Sequence, residues 1–198
     1  MIQFETAEDV LLKINELKHQ GFDTIHLPGG TSKDGSFYAG AVVVAYNVAN
    51  REVYILGVPY NSNFHVNGGN GHNKKDGETP EQTVIRELFE ETGLQIAVEN
   101  LTLIWSKDIP DNRPGKLGNL HLKRVYLVIE FNDKNFFTLE GPNPIDHETA
   151  TPLWIPAPLF VKLVFKGHLA AVYSAFDYLC YHFKDYGCSL MNLMNLAR

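Results

Sequence analysis

Residues 64–94 read FHVNGGNGHNKKDGETPEQTVIRELFEETGL, and this stretch decides how the rest of the chain is read. Its second half predicts a helix over residues 80–92. Thr79 suits the N-cap, Pro80 suits the first helical position, and Gln82 completes a capping box. Gly93 is placed to end the helix. At about 100° per residue, with Glu87 set to zero, Glu91 falls near +40° and Glu90 near −60°. Ile85, Leu88 and Phe89 fall between about +100° and +200°. The helix is therefore expected to turn an apolar side to a core and to carry its carboxylates opposite.

That acidic side is costly in isolation. Glu87 and Glu91 are like charges four residues apart, a destabilising pair by a few tenths of ~1 kcal/mol. Glu90 and Glu91 also lie in the last turn, where the helix dipole disfavours negative charge by roughly 0.3–1 kcal/mol each. A divalent cation reverses the sign of both effects, and hard oxygen donors select Mg²⁺, Mn²⁺ or Ca²⁺ over softer metals. On charge pattern alone, the alternative is a solvated acidic face.

The flanking sequence is mixed α and β. Residues 6–19 predict a helix, with Thr6 as cap, Asp9 at the capping-box position and Val10, Leu11, Ile14 and Leu17 as its stripe. Strands are expected at 39–47, 53–59, 95–107 and 120–131. The first is apolar on consecutive residues, which predicts a sheet covered on both faces. In the last, Val125, Leu127, Ile129 and Phe131 alternate with Leu122, Arg124, Tyr126 and Val128. Helices are expected near 158–166 and 168–184. Two long loops, 108–119 and 132–150, are rich in Gly, Pro and Asn, and loops of that length are often functional.

With 198 residues, 44% of them hydrophobic, the chain has the size of one domain with extensions and needs no disulfide or structural metal to build a core. Its net charge of −6 argues against a large nucleic-acid interface. No apolar run approaches the roughly 20 residues of a membrane span. The start MIQFETAEDV lacks a signal-peptide pattern, and two cysteines, Cys180 and Cys188, make no disulfide framework, so a cytoplasmic location is expected.

Glu78, then Arg86-Glu87-Leu88, Glu90-Glu91 and Gly93-Leu94, at this spacing, resembles the Nudix box of the Nudix hydrolases. At typical residue frequencies a chance match to those eight positions in this chain is on the order of one in a million. Phe64-His65-Val66-Asn67-Gly68-Gly69 looks like the family's aromatic-x-apolar-Pro-Gly-Gly lead-in, with Asn67 in place of proline. Trp154-Ile155-Pro156 resembles its later strand and turn. One departure is His72, where the family has glycine six positions before the first glutamate; three extra residues fall within Asn70–Lys75.

The resemblance implies an α/β/α sandwich around a mixed sheet, with residues 1–36 as a helical extension and 37–198 as the Nudix domain with its C-terminal helices. It implies Mg²⁺-dependent (or Mn²⁺-dependent) hydrolysis of a nucleoside diphosphate derivative. Glu87, Glu90 and Glu91 would hold metal, with a carbonyl of the Gly68–Gly69 turn, Gly69 foremost, as a further ligand. Glu87 would otherwise orient the attacking water, and Arg86 would pair with a glutamate such as Glu78. Some members draw the base from a later loop, where Asp146 and Glu148 stand. The expected partner is a small nucleotide, with no membrane; a homodimer is an option. The other functional reading is a silent nucleotide-binding sensor.

Substrate identity rests on less. Pro110, sixteen residues after Leu94, resembles a marker of ADP-ribose pyrophosphatases in the family. Arg113, Lys116, Lys123 and Arg124 could offset phosphate charge, since a guanidinium binds phosphate bidentately. Tyr60, Phe64, Trp105 and Tyr126 are candidates to stack on a base. Nucleoside triphosphate sanitation and dinucleoside polyphosphate cleavage are alternatives within the enzyme class.

Overall fold

The computed structural model describes residues 6–19, 37–47, 52–60, 63–71, 77–110, 120–130 and 152–183. Helix α1 (Ala7–His19) starts as expected: the Thr6 backbone N–H donates to Asp9, and the Asp9 N–H donates back to the Thr6 hydroxyl. Strands β1 (Phe37–Asn47), β2 (Glu52–Tyr60), β3 (Asn63–His65) and β4 (Asn67–Gly71) lead to α2 (Pro80–Thr92). Strands β5 (Thr102–Pro110), β6 (Leu120–Glu130) and β7 (Leu153–Pro156) follow, and then α3 (Ala157–Leu163) and α4 (Leu169–His182). The strand expected at 95–107 begins only at Thr102. Before it, the Asn100 side chain accepts from the Ala97 N–H and Val98–Asn100 wind into a 3₁₀ turn, a local competition that short polar side chains often win.

Among the described residues seven strands form one mixed sheet, in the order β3-β2-β1-β6-β5, with β4 on β1 and β7 on β2. Strand β1 runs parallel to β6 along its length. On its other edge β1 changes partner: Val43–Asn47 pair with β2, whereas Phe37–Ala41 pair with β4. The sheet therefore forks along a single strand. Asn67 ties the fork together, because its Nδ2 donates to the Leu56 carbonyl at 3.3 Å, linking β4 to β2.

Both faces of the sheet are covered, as the unbroken apolar run of β1 predicts. On one face Val42, Val44, Ile55, Phe64, Val125, Leu127 and Ile155 pack with Val10 of α1, Phe160 of α3 and Val172 and Phe176 of α4. On the other, Ala39, Ala41, Val43, Leu56, Tyr126 and Trp154 pack with Val84 and Leu88 of α2. This is the expected α/β/α arrangement. Gly57 makes room for the pairing of Phe64 and Phe160: a Cβ there would lie 2.7 Å from both rings. Among the described residues no helix is long and apolar enough to cross a membrane.

Candidate active site

Helix α2 carries the acidic residues, and both its ends are built as its sequence predicts. Thr79 accepts from the Gln82 N–H at 3.3 Å, and the Gln82 side chain accepts from the Thr79 N–H at 2.9 Å. Gly93 closes the helix at φ +74°, a left-handed conformation that glycine adopts without steric cost, and its N–H donates to the Phe89 carbonyl.

The face that α2 buries differs from the expected one. Thr83, Val84, Leu88 and Thr92 are buried, whereas Ile85 and Phe89 are only partly so. With Glu87 at zero, Val84, Leu88 and Thr92 lie at about +60°, +100° and +140°, next to Glu91 rather than opposite it. The physical reason is that α2 packs on both β1 and β4, so the fork wraps further around the helix than a flat sheet would. The carboxylates therefore border the core. Burial pushes the Glu87 carboxyl up, Arg86 partly offsets this, and the charges of Glu90 and Glu78 add to the rise.

Arg86 gathers three of the four box glutamates. Its Nε donates to Glu78 at 2.9 Å and its Nη2 to the other Glu78 oxygen at 3.4 Å. Its Nη1 donates to both Glu87 at 2.8 Å and Glu90 at 2.9 Å. Burial alone would weaken the charge of Arg86, but the bonds to Glu78 and Glu87 outweigh it and hold the guanidinium firmly protonated. Glu91 lies one turn past Glu87, partly buried.

Among the described residues no three His, Cys, Asp or Glu side chains are gathered as a metal-binding group. The chemistry of the donors nonetheless suits a hard divalent cation. Glu87 and Glu90 already converge on one positively charged nitrogen, and oxygen donors on a partly buried helix face are what Mg²⁺ selects. Gly69 lies in β4, paired with Ala39, on the strand against which α2 packs.

Tyr38 carries an unusual phenol that the sequence reading did not single out. Burial raises its phenol far above the usual range, and the charges of Glu91 and Glu87 raise it further, so the hydroxyl stays neutral, while the ring packs on the α3 and α4 side of the sheet. Its place depends on Gly40, where a Cβ would lie 2.9 Å from both the Tyr38 hydroxyl and the Asn67 carbonyl. The signal available in sequence was only alternation along β1, which puts Tyr38 and Gly40 on one face. Beyond Tyr38 stand His168, its ring centroid 6.2 Å away, and Lys123, whose Nζ lies 5.7 Å from the Tyr38 ring.

The remaining candidates are dispersed. Lys123 and Arg124, neighbours on β6, point to opposite faces of the sheet. Arg124 approaches Glu81 at 3.6 Å, and the Tyr126 hydroxyl donates to the same carboxylate at 2.5 Å. Tyr126 is buried and its phenol is pushed up to about 12 by burial and by that bond. Phe64 is wholly buried, so neither it nor Tyr126 offers a face to a base, and Trp105 packs against the core. Pro110 ends β5, opposite Leu120. Arg113, Lys116, Asp146, Glu148, His72 and Cys188 lie outside the described residues, as does the side chain of Tyr60.

His168 accepts a hydrogen bond at Nδ1 from the Val66 N–H at 3.2 Å. Burial, His65 and Lys123 together lower its pKa to about 4. In the unfolded chain a histidine protonates near about 6.5. Between these values the unfolded state binds more protons, so stability is expected to fall as the pH drops from about 6.5 towards 4. His168→Asn keeps an acceptor near Nδ1 without the titration. Thermal unfolding across this window is expected to slope less steeply in that variant, by up to about 1.4 kcal/mol per pH unit. Equal slopes in both proteins would show that His168 is not held neutral.

A family model described as NUDIX domain matches residues 69–164 and bears out the resemblance carried by the box. No curated protein sequence matches the chain significantly. Solved structures with the same fold include the NUDIX domain of Shewanella oneidensis NrtR complexed with ADP ribose, with a TM-score of 0.55 at 17% identity over 79% of this chain and 98% of that one. A MutT/nudix family protein from Enterococcus faecalis gives 0.53 at 15% identity, over 89% of this chain and 79% of that one. A C. elegans Ap4A hydrolase in a binary complex gives 0.52 at 16% identity, over 73% and 98%.

Proposed function

Because residues 69–164 are a NUDIX domain on a Nudix fold, we propose that this protein is a Mg²⁺-dependent pyrophosphohydrolase acting on a nucleoside diphosphate derivative, with ADP-ribose or a nucleoside diphosphate sugar as the first candidates. The observation that carries the reading is the convergence of Glu87 and Glu90 on one guanidinium nitrogen, beside a Glu87 carboxyl raised by burial. Glu90 and Glu91 would hold the cation, with the Gly69 carbonyl as a further donor and Glu87 either as a third ligand or as the base. The cation would supply neutralisation of the diphosphate charge and a more acidic water. Arg86, fixed by Glu78, holds Glu87 and Glu90 in place. A carboxylate whose affinity for protons is raised is suited to accept one from water, and this is the role proposed for Glu87. Glu148 is the alternative base.

The preference for ADP-ribose is supported by Pro110, and by two neighbours whose names carry a nucleotide ligand or substrate, ADP ribose and Ap4A. The expected location is the cytoplasm. A second reading, a nucleotide-binding domain that does not cleave, is favoured by one observation: Arg86 already neutralises the carboxylates that a metal would need. Turnover of an ADP-ribose and nucleoside triphosphate panel, compared by kcat/KM, separates the two.

The metal is tested without turnover. Saturating Mg²⁺ is expected to raise the melting temperature, since a ligand at 100 times its Kd adds about 2.7 kcal/mol to the native state. Glu90→Gln with Glu91→Gln is expected to abolish that shift. A full shift in the double variant would place the cation elsewhere.

A further inference from the structure

We propose that the exposed face of Phe165, backed by the rings of His65 and His168, is a docking platform for a planar heteroaromatic ring such as a nucleobase, with Lys123 placed to meet the phosphate that the ring carries. The proposal deepens the hydrolase reading and rests on it for the identity of the ligand.

Phe165 lies between α3 and the 3₁₀ turn Lys166–His168 and is 48% exposed. It is nevertheless held in place. Its N–H donates to the Phe64 carbonyl at 2.8 Å, and its ring lies over Gly167, where a Cβ would come within 2.7 Å of it. His65 stacks on the ring at 5.3 Å with 17° between the planes. His168 meets it edge-on at 5.5 Å and 84°, and meets His65 edge-on at 5.0 Å. The three rings form a corner in which Phe165 is supported on one face and one edge, so a ligand ring stacking on it orders little that is not already ordered.

The polarity around the corner points to a nucleotide rather than to a greasy partner. The bond from the Val66 N–H to Nδ1 puts the proton of neutral His168 on Nε2 and makes that atom a donor. Burial lowers the proton affinity of both imidazoles, so the platform is uncharged at neutral pH and presents π faces. Positive charge comes instead from Lys123, whose Nζ lies 5.7 Å from the Tyr38 ring, which itself stacks on His168 at 6.2 Å.

The test is equilibrium binding by calorimetry on the full chain, in Mg²⁺, with ADP, GDP, UDP and CDP as probes and inorganic pyrophosphate as the probe without a base. Phe165→Ala is expected to weaken the best nucleoside diphosphate about tenfold or more, the range of base–aromatic stacking, and to leave pyrophosphate unchanged. Phe165→Trp is expected to keep nucleotide affinity. Equal nucleotide affinity in the alanine variant, an equal loss for pyrophosphate, or no binding of any of the four nucleotides to the parent protein overturns the platform. The hydrolase reading fails separately: nucleotide binding that depends on Phe165, without cleavage of any diphosphate, leaves the platform standing and removes the enzyme.

Discussion

Glutamine in place of Glu87 is expected to lower turnover at least ~100-fold, the range of general-base contributions, while the metal-free protein melts at the same temperature as its parent or higher. The second half follows from the sign of the shift. Burial and the charges of Glu90 and Glu78 make the folded protein favour the protonated carboxyl, with Arg86 only partly opposing them. Below the unfolded value both states are protonated and no penalty exists. As the pH rises through the raised folded value, the ionised form costs the native state stability. Glutamine is neutral and nearly the same size, so it removes that cost. Kinetics and thermal unfolding on one preparation check both halves. Near-parental turnover in a correctly folded variant would move the essential role to another residue, Glu148 being the next to examine.

Removing the guanidinium should act in the opposite sense. Arg86→Ala removes the guanidinium with which Glu78, Glu87 and Glu90 are all paired. Breaking a fully buried ion pair costs about 3–5 kcal/mol. Arg86 is 38% exposed and Glu90 37%, so solvent screening reduces the expected loss to about 1–3 kcal/mol. In a chain of this size each ~1 kcal/mol moves the melting temperature by about 2–4 °C. Mg²⁺ is expected to recover part of the loss, and Arg86→Lys less than half of it, since an ammonium lacks the fork that reaches three carboxylates. An alanine variant that melts with its parent at low salt would show that the cluster does not hold the helix.

These expectations rest on residues that local rules made legible. Thr79, Pro80, Gln82 and Gly93 fix both ends of α2 by chemistry confined to a few neighbouring positions, and the helix has the predicted bounds. The consecutive apolar residues of β1 announce a sheet with two covered faces, and both cores are there. What escaped was set by contacts distant in sequence. Strands β3 and β4 carry no apolar alternation, and β4 is a strand because β1 gives it a partner. The buried side of α2 shifted towards Glu91 because β4 wraps it, which no helical wheel contains. Tyr38 came to stack on His168, and Phe165 on His65, only through the fold. Asn67 looked like a departure from a proline pattern, yet its amide spans the fork to Leu56.

The sharing of β1 between β2 and β4 has a mechanical consequence. In an enzyme whose cleft lies between two bodies, ligand capture requires the bodies to close, and part of the binding free energy goes into stopping their relative motion. Here the strand that carries Tyr38, the strand that leads to α2 and the strand that leads to His65 are joined through the same eleven-residue ribbon, or through the strand next to it. Neither wall can swing without breaking ladder hydrogen bonds. Amides along Ala39–Val44 should therefore be among the slowest to exchange with solvent, with or without nucleotide, so this part of the sheet stays rigid when a ligand arrives.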